Sequence, residues 1–290
     1  MTAQAFFLVV IAAALHASWN LISKRAAIAG ASFVFAYRFC STVVYAPWVA
    51  YIFWNDGMAW SWLVVAFIAM SSVLHLGYSI CLLRGYRAAE LSVVYPVARG
   101  TGPLLASVGA FLWLSEIPSL SGALGIFSVV GGILLIATQG NWRQFAHAQA
   151  WIGIRWGVLI GVFIAAYSLT DAYSVKVLLV APVLLDWLSA FGGTLLMAPS
   201  TWVRRAHVRE QMRGKWGLAL AVGILSPLAY ILVLYALQQG AEVSVVAPLR
   251  EMSMMMATFA GFLILKEKVS AMRWLGCVAI IAGGVLLTMR

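Results

Sequence analysis

The chain has 290 residues, of which 63% are hydrophobic and only 10% are charged. This composition excludes an ordinary soluble domain, in which about a quarter of the residues are charged, and indicates a chain embedded in lipid. The net charge of +10 follows from where the basic residues lie along the chain, as described below, so we expect no nucleic-acid partner.

Ten apolar segments each have about the 20 residues that an α-helix needs to cross a bilayer. In chain order these spans cover residues 4–22, 31–53, 60–83, 91–113, 120–138, 152–173, 178–202, 215–237, 243–265 and 270–289. Backbone groups in lipid must be hydrogen-bonded within their own segment, and the alternating pattern of a barrel strand is absent from the sequence. The sequence therefore predicts an all-α membrane protein with ten transmembrane helices.

The two halves of the chain share one sequence pattern. A set of five residues recurs 152 positions later: Tyr78, Glu90, Ser92, Val94 and Pro96 become Tyr230, Glu242, Ser244, Val246 and Pro248. Glu116 and Gly125 likewise recur 151 positions later as Glu267 and Gly276. We therefore predict two homologous units, residues 1–145 and 146–290.

Each predicted unit contains five spans, so the second unit must enter the membrane from the side opposite to the first. Such inverted repeats occur in transporters, where the substrate site lies near the midplane at the interface of the repeats. We therefore expect two inverted five-helix repeats around a central cavity. The alternative is a duplication that serves packing alone.

The basic residues favour one side of the membrane. The loops that follow odd-numbered spans contain Lys24, Arg25, Arg84, Arg87, Arg143, Arg155, Arg204, Arg205, Arg209, Arg213, Lys215, Lys266, Lys268 and Arg273. The opposite side has only Lys176 and Arg290. By the positive-inside rule, the odd-numbered loops are predicted to be cytoplasmic and both termini extracytoplasmic.

Polar and aromatic side chains at helical spacing occur in spans one, three, four, six, eight and nine, whereas spans five and ten are rich in glycine. Inward-facing polar groups are what a binding cavity in a membrane requires, so we expect these six spans to line it, with spans five and ten packed outside. The predicted substrate-contacting residues are His16, Trp19, Asn20, His75, Tyr78, Tyr95, Tyr167, Asp171 and Tyr230. For each aromatic residue, core packing is the alternative role.

Among the charged residues within spans, the strongest candidates are Arg38, Arg99, Arg250 and Glu251. Arg99 and Glu251 occupy equivalent positions in the two halves, so one hypothesis is a clamp for a zwitterion, with the carboxylate at Arg99 and the ammonium at Glu251. In this hypothesis, removing either charge abolishes transport and leaves folding largely intact. The alternative is that Glu251 forms a structural pair or gate with Arg99 or Arg250. Arg38 is predicted to bind a neighbouring carbonyl group or Asp171.

Sites for cofactors and for catalysis are not indicated by the sequence. Cys40, Cys81 and Cys277 lie within spans and lack metal-ligand spacing, so neither a metal site nor a disulfide framework is expected. The chain also lacks a glycine-rich phosphate loop, a His-Glu-x-x-His helix and a nucleophile elbow. We therefore expect no cofactor and no enzymatic activity.

Several segments of the chain resemble a known family. They are LHASWNLISKRA at 15–26, AYRF at 36–39, RAAELSVVYPVARGTGPLLA at 87–106, LSEIPSLSGALG at 114–125, GAEVSVVAPLREMSMMMA at 240–257 and LKEKVSAMRWLG at 265–276. Over nearly its whole length the chain resembles the ten-helix EamA-type members of the drug/metabolite transporter superfamily. Among these it is closest in kind to the aromatic amino-acid exporters. The resemblance implies a central cavity lined by helices one, three, four, six, eight and nine.

The resemblance also implies a secondary transporter of the bacterial cytoplasmic membrane that moves small metabolites, above all amino acids, outward by alternating access. Nucleotide sugars, sugar phosphates and drugs are alternative substrates, and a channel or a membrane-embedded enzyme is the alternative from another class. Asp171, Glu251, His16 and His75 are candidate proton carriers, but the sequence does not separate a proton antiporter from a facilitator. The expected partners are a small-molecule substrate and the lipid bilayer, with the chain as a monomer and a dimer as the alternative.

Overall fold

The computed structural model describes residues 1–55, 57–117, 119–146, 150–263, 266 and 269–289. Over these residues it consists of helices and their connections, without strands, which confirms the predicted all-α fold. The α-helices are α1 Ala3–Arg25, α2 Gly30–Asn55, α3 Trp62–Ala88, α4 Leu91–Trp113, α5 Leu120–Thr138, α6 Ala150–Lys176, α7 Pro182–Val203, α8 Arg205–Gln211, α9 Trp216–Gln238, α10 Val243–Arg250, α11 Met252–Leu263 and α12 Ala271–Thr288. Glu267, Lys268 and Arg290, which entered the sequence predictions, lie outside the described residues.

Among the described helices, 8 are long and apolar enough to cross a membrane, namely α1, α2, α3, α5, α6, α7, α9 and α12. They correspond to eight of the ten predicted spans, and the chain is a multi-pass membrane protein. The fourth span corresponds to α4, which has 23 residues but is not among these eight helices. Arg99, Pro96 and Pro103 all lie within α4 and lower its hydropathy.

The ninth predicted span, residues 243–265, is interrupted in the structure. The structure breaks this segment at Glu251 into α10 and α11. Pro248 lies inside α10 and has no backbone N–H to continue the hydrogen-bond ladder. The backbone N–H of Glu251 instead donates to the carbonyl of Pro248 at 3.0 Å, in a tight i to i−3 turn. Residues 264 and 265, at the end of the predicted span, lie outside the described residues.

Serine and threonine side chains cap the starts of four helices. Thr2, Ser61, Ser119 and Ser270 each accept a hydrogen bond from a backbone N–H in the first turn of α1, α3, α5 and α12. The first N–H groups of a helix have no partner within the helix, so these caps satisfy donors that would otherwise be exposed to lipid headgroups or buried unpaired. They explain why these four spans begin where they do.

A carboxylate from a distant segment caps the start of α10. Glu116, in the connection from α4 to α5, accepts hydrogen bonds from the backbone N–H groups of Val243 at 2.7 Å and Ser244 at 2.9 Å. The ammonium of Lys176, at the end of α6, lies 3.5 Å from the same carboxylate. These contacts connect the first half of the chain to the second at one end of the helix bundle.

Helices α5 and α12 approach each other through glycines. A Cβ atom on Gly132 would lie 2.6 Å from the carbonyl oxygen of Gly276, and one on Gly283 would lie 2.7 Å from that of Gly125. Such distances are shorter than any Cβ contact that a larger residue could make, so only glycine permits this approach. The contacts run in opposite order along the two helices, so α5 and α12 are antiparallel.

Helices from the two halves of the chain are interleaved. α4 packs along α6, α1 along α9, and α2 along α7. The cavity described below lies where these pairs meet, so its walls come from both halves.

Candidate functional site

A cavity of about 120 Å³ lies among seven helices: α1, α2, α3, α6, α7, α9 and α10. Its polar and aromatic lining consists of His16, Trp19, Tyr37, Arg38, Ser41, His75, Tyr78, Ser79, Tyr167, Asp186, Ser189, Ser226, Tyr230 and Arg250. Most of these residues lie well inside their helices and away from the helix ends. The cavity is therefore an internal site rather than a groove at the membrane surface.

Six of the residues predicted from sequence line this cavity: His16, Trp19, His75, Tyr78, Tyr167 and Tyr230. The other five, Asn20, Tyr95, Arg99, Asp171 and Glu251, are not among its lining residues. The expected set of helices also changes. The second and seventh helices contribute to the lining and the fourth does not, because the side chain of Arg99 in α4 contacts His16 and Glu251 instead.

A hydrogen-bonded group surrounds Asp171, whose residue surface is only 1% exposed. The hydroxyl of Tyr230 donates to Asp171 Oδ2 at 2.6 Å, and His75 Nε2 lies 2.9 Å from the same oxygen. A carboxylate only accepts hydrogen bonds, so this contact favours a proton on His75 Nε2. Asp171 thus fixes the orientation of two side chains that line the cavity, although it does not line the cavity itself.

Aromatic rings form much of the cavity wall. The ring of Tyr167 stacks on that of His75 with centroids 4.2 Å apart, and it meets Tyr78 and Tyr230 edge to face at 5.7 and 5.9 Å. On the opposite side, His16 and Trp19 are also edge to face at 4.8 Å. Rings that contact one another in these geometries hold each other in place. They present an ordered surface to an apolar or aromatic ligand group.

Arg99 and Glu251 contact each other directly. Arg99 Nη1 lies 3.2 Å from Glu251 Oε1, and Arg99 Nη2 lies 2.7 Å from His16 Nε2. The guanidinium also lies over the ring of Tyr95, 5.5 Å from its centroid. Only 7% of Arg99 and 1% of Glu251 is exposed. The contact agrees with the alternative of a structural pair, and direct binding of substrate by these two residues stays a prediction.

Arg38 and Asn20 bind backbone carbonyl groups. Arg38 Nη2 donates to the carbonyl oxygen of His75 at 3.1 Å and to Ser79 Oγ at 3.2 Å, so the predicted carbonyl anchor is observed. Asn20 Nδ2 donates to the carbonyl of His16 in its own helix at 2.8 Å. Arg38 thereby joins α2 to α3 beside the cavity, while Asn20 stabilises only α1.

Two charged residues that were not among the predicted substrate contacts line the cavity: Arg250, at the end of α10, and Asp186, in the first turns of α7. Neither makes a hydrogen bond or an ion pair with another residue in the described part of the chain. The signal for both was present in the sequence, since an ionisable residue inside a membrane span is by default a candidate functional residue. Their orientation toward the cavity was not predictable from that signal.

The fold and this site define the chain as a multi-pass helical membrane protein with an internal polar and aromatic cavity. Residues 151–289, nearly all of the second half, match the model of the EamA-like transporter family. This part of the chain is therefore similar to transporters of the drug/metabolite transporter type.

Other comparisons bear on the fold alone. A solved structure, described only as a crystal structure of a protein, superposes with a TM-score of 0.75 at 14% sequence identity, covering 100% of this chain and 99% of its own. At that identity the likeness shows a shared fold and carries no information on substrate. A comparison with curated proteins finds no match.

Proposed function

We propose that this protein is a secondary transporter that moves amino acids, aromatic ones in particular, out of a bacterial cell across the cytoplasmic membrane. The observation that carries the proposal is the cavity itself, in which aromatic rings and ionisable side chains face the same space of about 120 Å³. A dry apolar cavity of roughly 150 Å³ accommodates a benzene ring alone, so the cavity must widen to hold a whole aromatic amino acid. Its aromatic and ionisable lining residues match the ring and the charged groups of such a ligand.

An inverted repeat is the second part of the proposal, and the glycine contacts support it. With the 151-residue offset, Gly125 corresponds to Gly276 and Gly132 to Gly283. The contact between Gly125 and Gly283 then corresponds to the contact between Gly276 and Gly132, and both contacts are present. When two units are related by a two-fold axis, each contact between them occurs twice, with the residues of the two units interchanged. The glycine contacts therefore support two units, residues 1–145 and 146–290, related by a two-fold axis in the membrane plane.

Alternating access is supported by the break between α10 and α11. Transporters with inverted repeats line their substrate sites with discontinuous helices, around which one repeat moves against the other. Here the break falls at Glu251, beside the cavity-lining Arg250 and in contact with Arg99 of the first half. In this proposal the Arg99–Glu251 pair connects the two repeats at the depth of the site.

Within the site, we assign the rings of Trp19, Tyr78, Tyr167 and Tyr230 to the apolar part of the substrate. His75 and Tyr230 are oriented by hydrogen bonds to Asp171, so their rings are held at fixed positions in the cavity wall. Asp171, Glu251, His16 and His75 are the candidate proton carriers if transport is coupled to a proton gradient. We further propose that the protein acts as a monomer, because two repeats complete one transport unit.

The proposal is tested by uptake of labelled phenylalanine, tyrosine, tryptophan, alanine and glycine into liposomes that contain the purified protein, with and without an imposed pH gradient. We expect saturable uptake of the aromatic members, inhibited by unlabelled substrate. Acceleration by a pH gradient would identify proton coupling, and no response would identify a facilitator. If no amino acid enters while a nucleotide sugar, a sugar phosphate or a cationic drug does, the proposed substrate class is wrong.

Two further measurements test mechanism and orientation. A carrier gives no unitary currents in a planar bilayer under substrate gradients, so discrete current steps would identify a channel instead. Reporters fused to residues 1 and 290 are expected to be active on the extracytoplasmic side only. Activity in the cytoplasm would reverse the orientation inferred from the basic loops.

A further inference from the structure

The described helices bury three arginines around the cavity, and two of them have partners. Arg99 contacts Glu251 and His16, and Arg38 donates to a backbone carbonyl and a serine hydroxyl. Arg250 differs from both. Within the described residues it makes no hydrogen bond and no ion pair, and its buried Nε atom is unpartnered.

Arg250 is also deeply buried, with 5% of its surface exposed, and it lines the cavity. The charged and polar groups that interact electrostatically with Arg250 are the phenols of Tyr167 and Tyr230, the carboxylate of Glu251 and the guanidinium of Arg99. Of these, the Glu251 carboxylate already contacts Arg99. A buried guanidinium without a direct counter-charge costs free energy, and an anion that binds to it recovers that cost. Guanidinium groups bind carboxylates with two parallel hydrogen bonds, so a carboxylate is the best-matched small anion.

We propose that Arg250 binds the carboxylate of the transported substrate, in the role that the sequence pattern suggested for Arg99. The inference rests on the proposed transport of amino acids and narrows it to substrates with a carboxylate beside an aromatic group. The rings of Tyr167 and Tyr230 lie beside Arg250 and contact the substrate side chain. Arg99 acts on the substrate only through its contacts with Glu251 and His16.

The test compares ligands that carry both charged groups of an amino acid, only the carboxylate, or only the ammonium. Binding of L-phenylalanine, 3-phenylpropionate and phenethylamine to the purified full-length protein in detergent is measured by isothermal titration calorimetry. The first ligand carries both charges, the second lacks the ammonium, and the third lacks the carboxylate. The variants are Arg250→Gln, Arg250→Lys and Arg99→Gln, with Arg209→Gln in the exposed helix α8 as a matched control.

In Arg250→Gln we expect the affinity for phenylalanine and phenylpropionate to fall about 10- to 100-fold, the range of one charge-assisted contact, and that for phenethylamine to stay the same. Arg250→Lys should recover part of the loss. The comparison between ligands within one variant does not depend on how much of the sample is folded. Arg99→Gln should weaken all three ligands alike, and Arg209→Gln none.

Three results would overturn the inference. Equal weakening of all three ligands by Arg250→Gln would assign Arg250 a structural role. If Arg99→Gln weakens only the two ligands that carry a carboxylate, while Arg250→Gln binds all three ligands as the wild type does, the carboxylate binds to Arg99 instead. If the wild-type protein binds none of the three ligands, the proposed function fails, and the inference fails with it. The first two results leave amino-acid transport intact.

Discussion

Removing one charge of the buried Arg99–Glu251 pair should destabilise the protein strongly. The two side chains are 9% and 1% exposed and lie 3.2 Å apart, so either one alone would remain as an uncompensated charge away from water. Breaking such a pair costs about 3–5 kcal/mol. We choose Arg99→Met and Glu251→Met as the single variants. The sequence-based expectation that removing either charge leaves folding largely intact stays a prediction, and the burial of both partners argues against it.

The double variant Arg99→Met/Glu251→Met should recover most of this loss, because replacing both charges of a buried pair with apolar groups is often neutral or stabilising. We expect it to unfold within about 1–2 kcal/mol of the wild type, allowing for the lost contact between Arg99 and His16. The losses in free energy of unfolding of the two single variants would then add up to several kcal/mol more than the loss of the double variant. This difference is the coupling free energy of the pair.

The assay is reversible unfolding in mixed micelles, followed by tryptophan fluorescence, with transport of labelled phenylalanine measured on the same preparations. The double variant should keep measurable transport, because the substrate carboxylate is assigned to Arg250. Single variants as stable as the wild type would refute the argument from burial. A stable double variant that transports nothing would show that the pair contacts the substrate directly.

Three further substitutions can be measured by the same unfolding assay. Gly132→Ala places a methyl group 2.6 Å from a backbone carbonyl oxygen, so it should lower the free energy of unfolding by about 1–3 kcal/mol. In the control Gly131→Ala the methyl group has no atom within 4 Å, so the free energy of unfolding should stay the same or rise. Tyr230→Phe removes a 2.6 Å hydrogen bond to a buried carboxylate and should cost about 1.5–3 kcal/mol; an unchanged value would mean that water replaces the hydroxyl. Glu116→Gln weakens the two hydrogen bonds, of 2.7 and 2.9 Å, that cap the start of α10, and it should lower the free energy of unfolding by about 1–3 kcal/mol. The control Glu210→Gln, in the exposed helix α8, should change it by less than about 0.5 kcal/mol.

The positions of the spans were largely predictable, because a bilayer imposes a length and a composition on any helix that crosses it. Eight of the ten predicted spans correspond to helices that meet both criteria. The internal repeat stays a prediction from the sequence, which depends only on comparing residues at a fixed offset. The break at Glu251 was not predicted, because Pro248 inside an apolar run is compatible with a kink as well as with two separate helices.

The candidate site was predictable in residue type but not in arrangement. The sequence identified His16, His75, Tyr167 and Tyr230 as inward-facing, and all four line the cavity. It also identified Arg99, which the structure places against Glu251 rather than in the cavity lining. Spacing along one helix tells which side chains share a face, but not what lies opposite that face.

The sequence by itself therefore determined that this chain crosses a membrane repeatedly and which polar residues lie inside its apolar segments. Only the tertiary structure decided which of these polar groups neutralise one another and which remain free to meet a ligand. Arg99 and Arg250 are both arginines inside apolar segments. Among the residues that the structure describes, Arg99 pairs with Glu251, whereas Arg250 has no hydrogen-bond or ion-pair partner. The difference arises from the rotation and tilt of helices against their neighbours, which packing sets after the spans have formed.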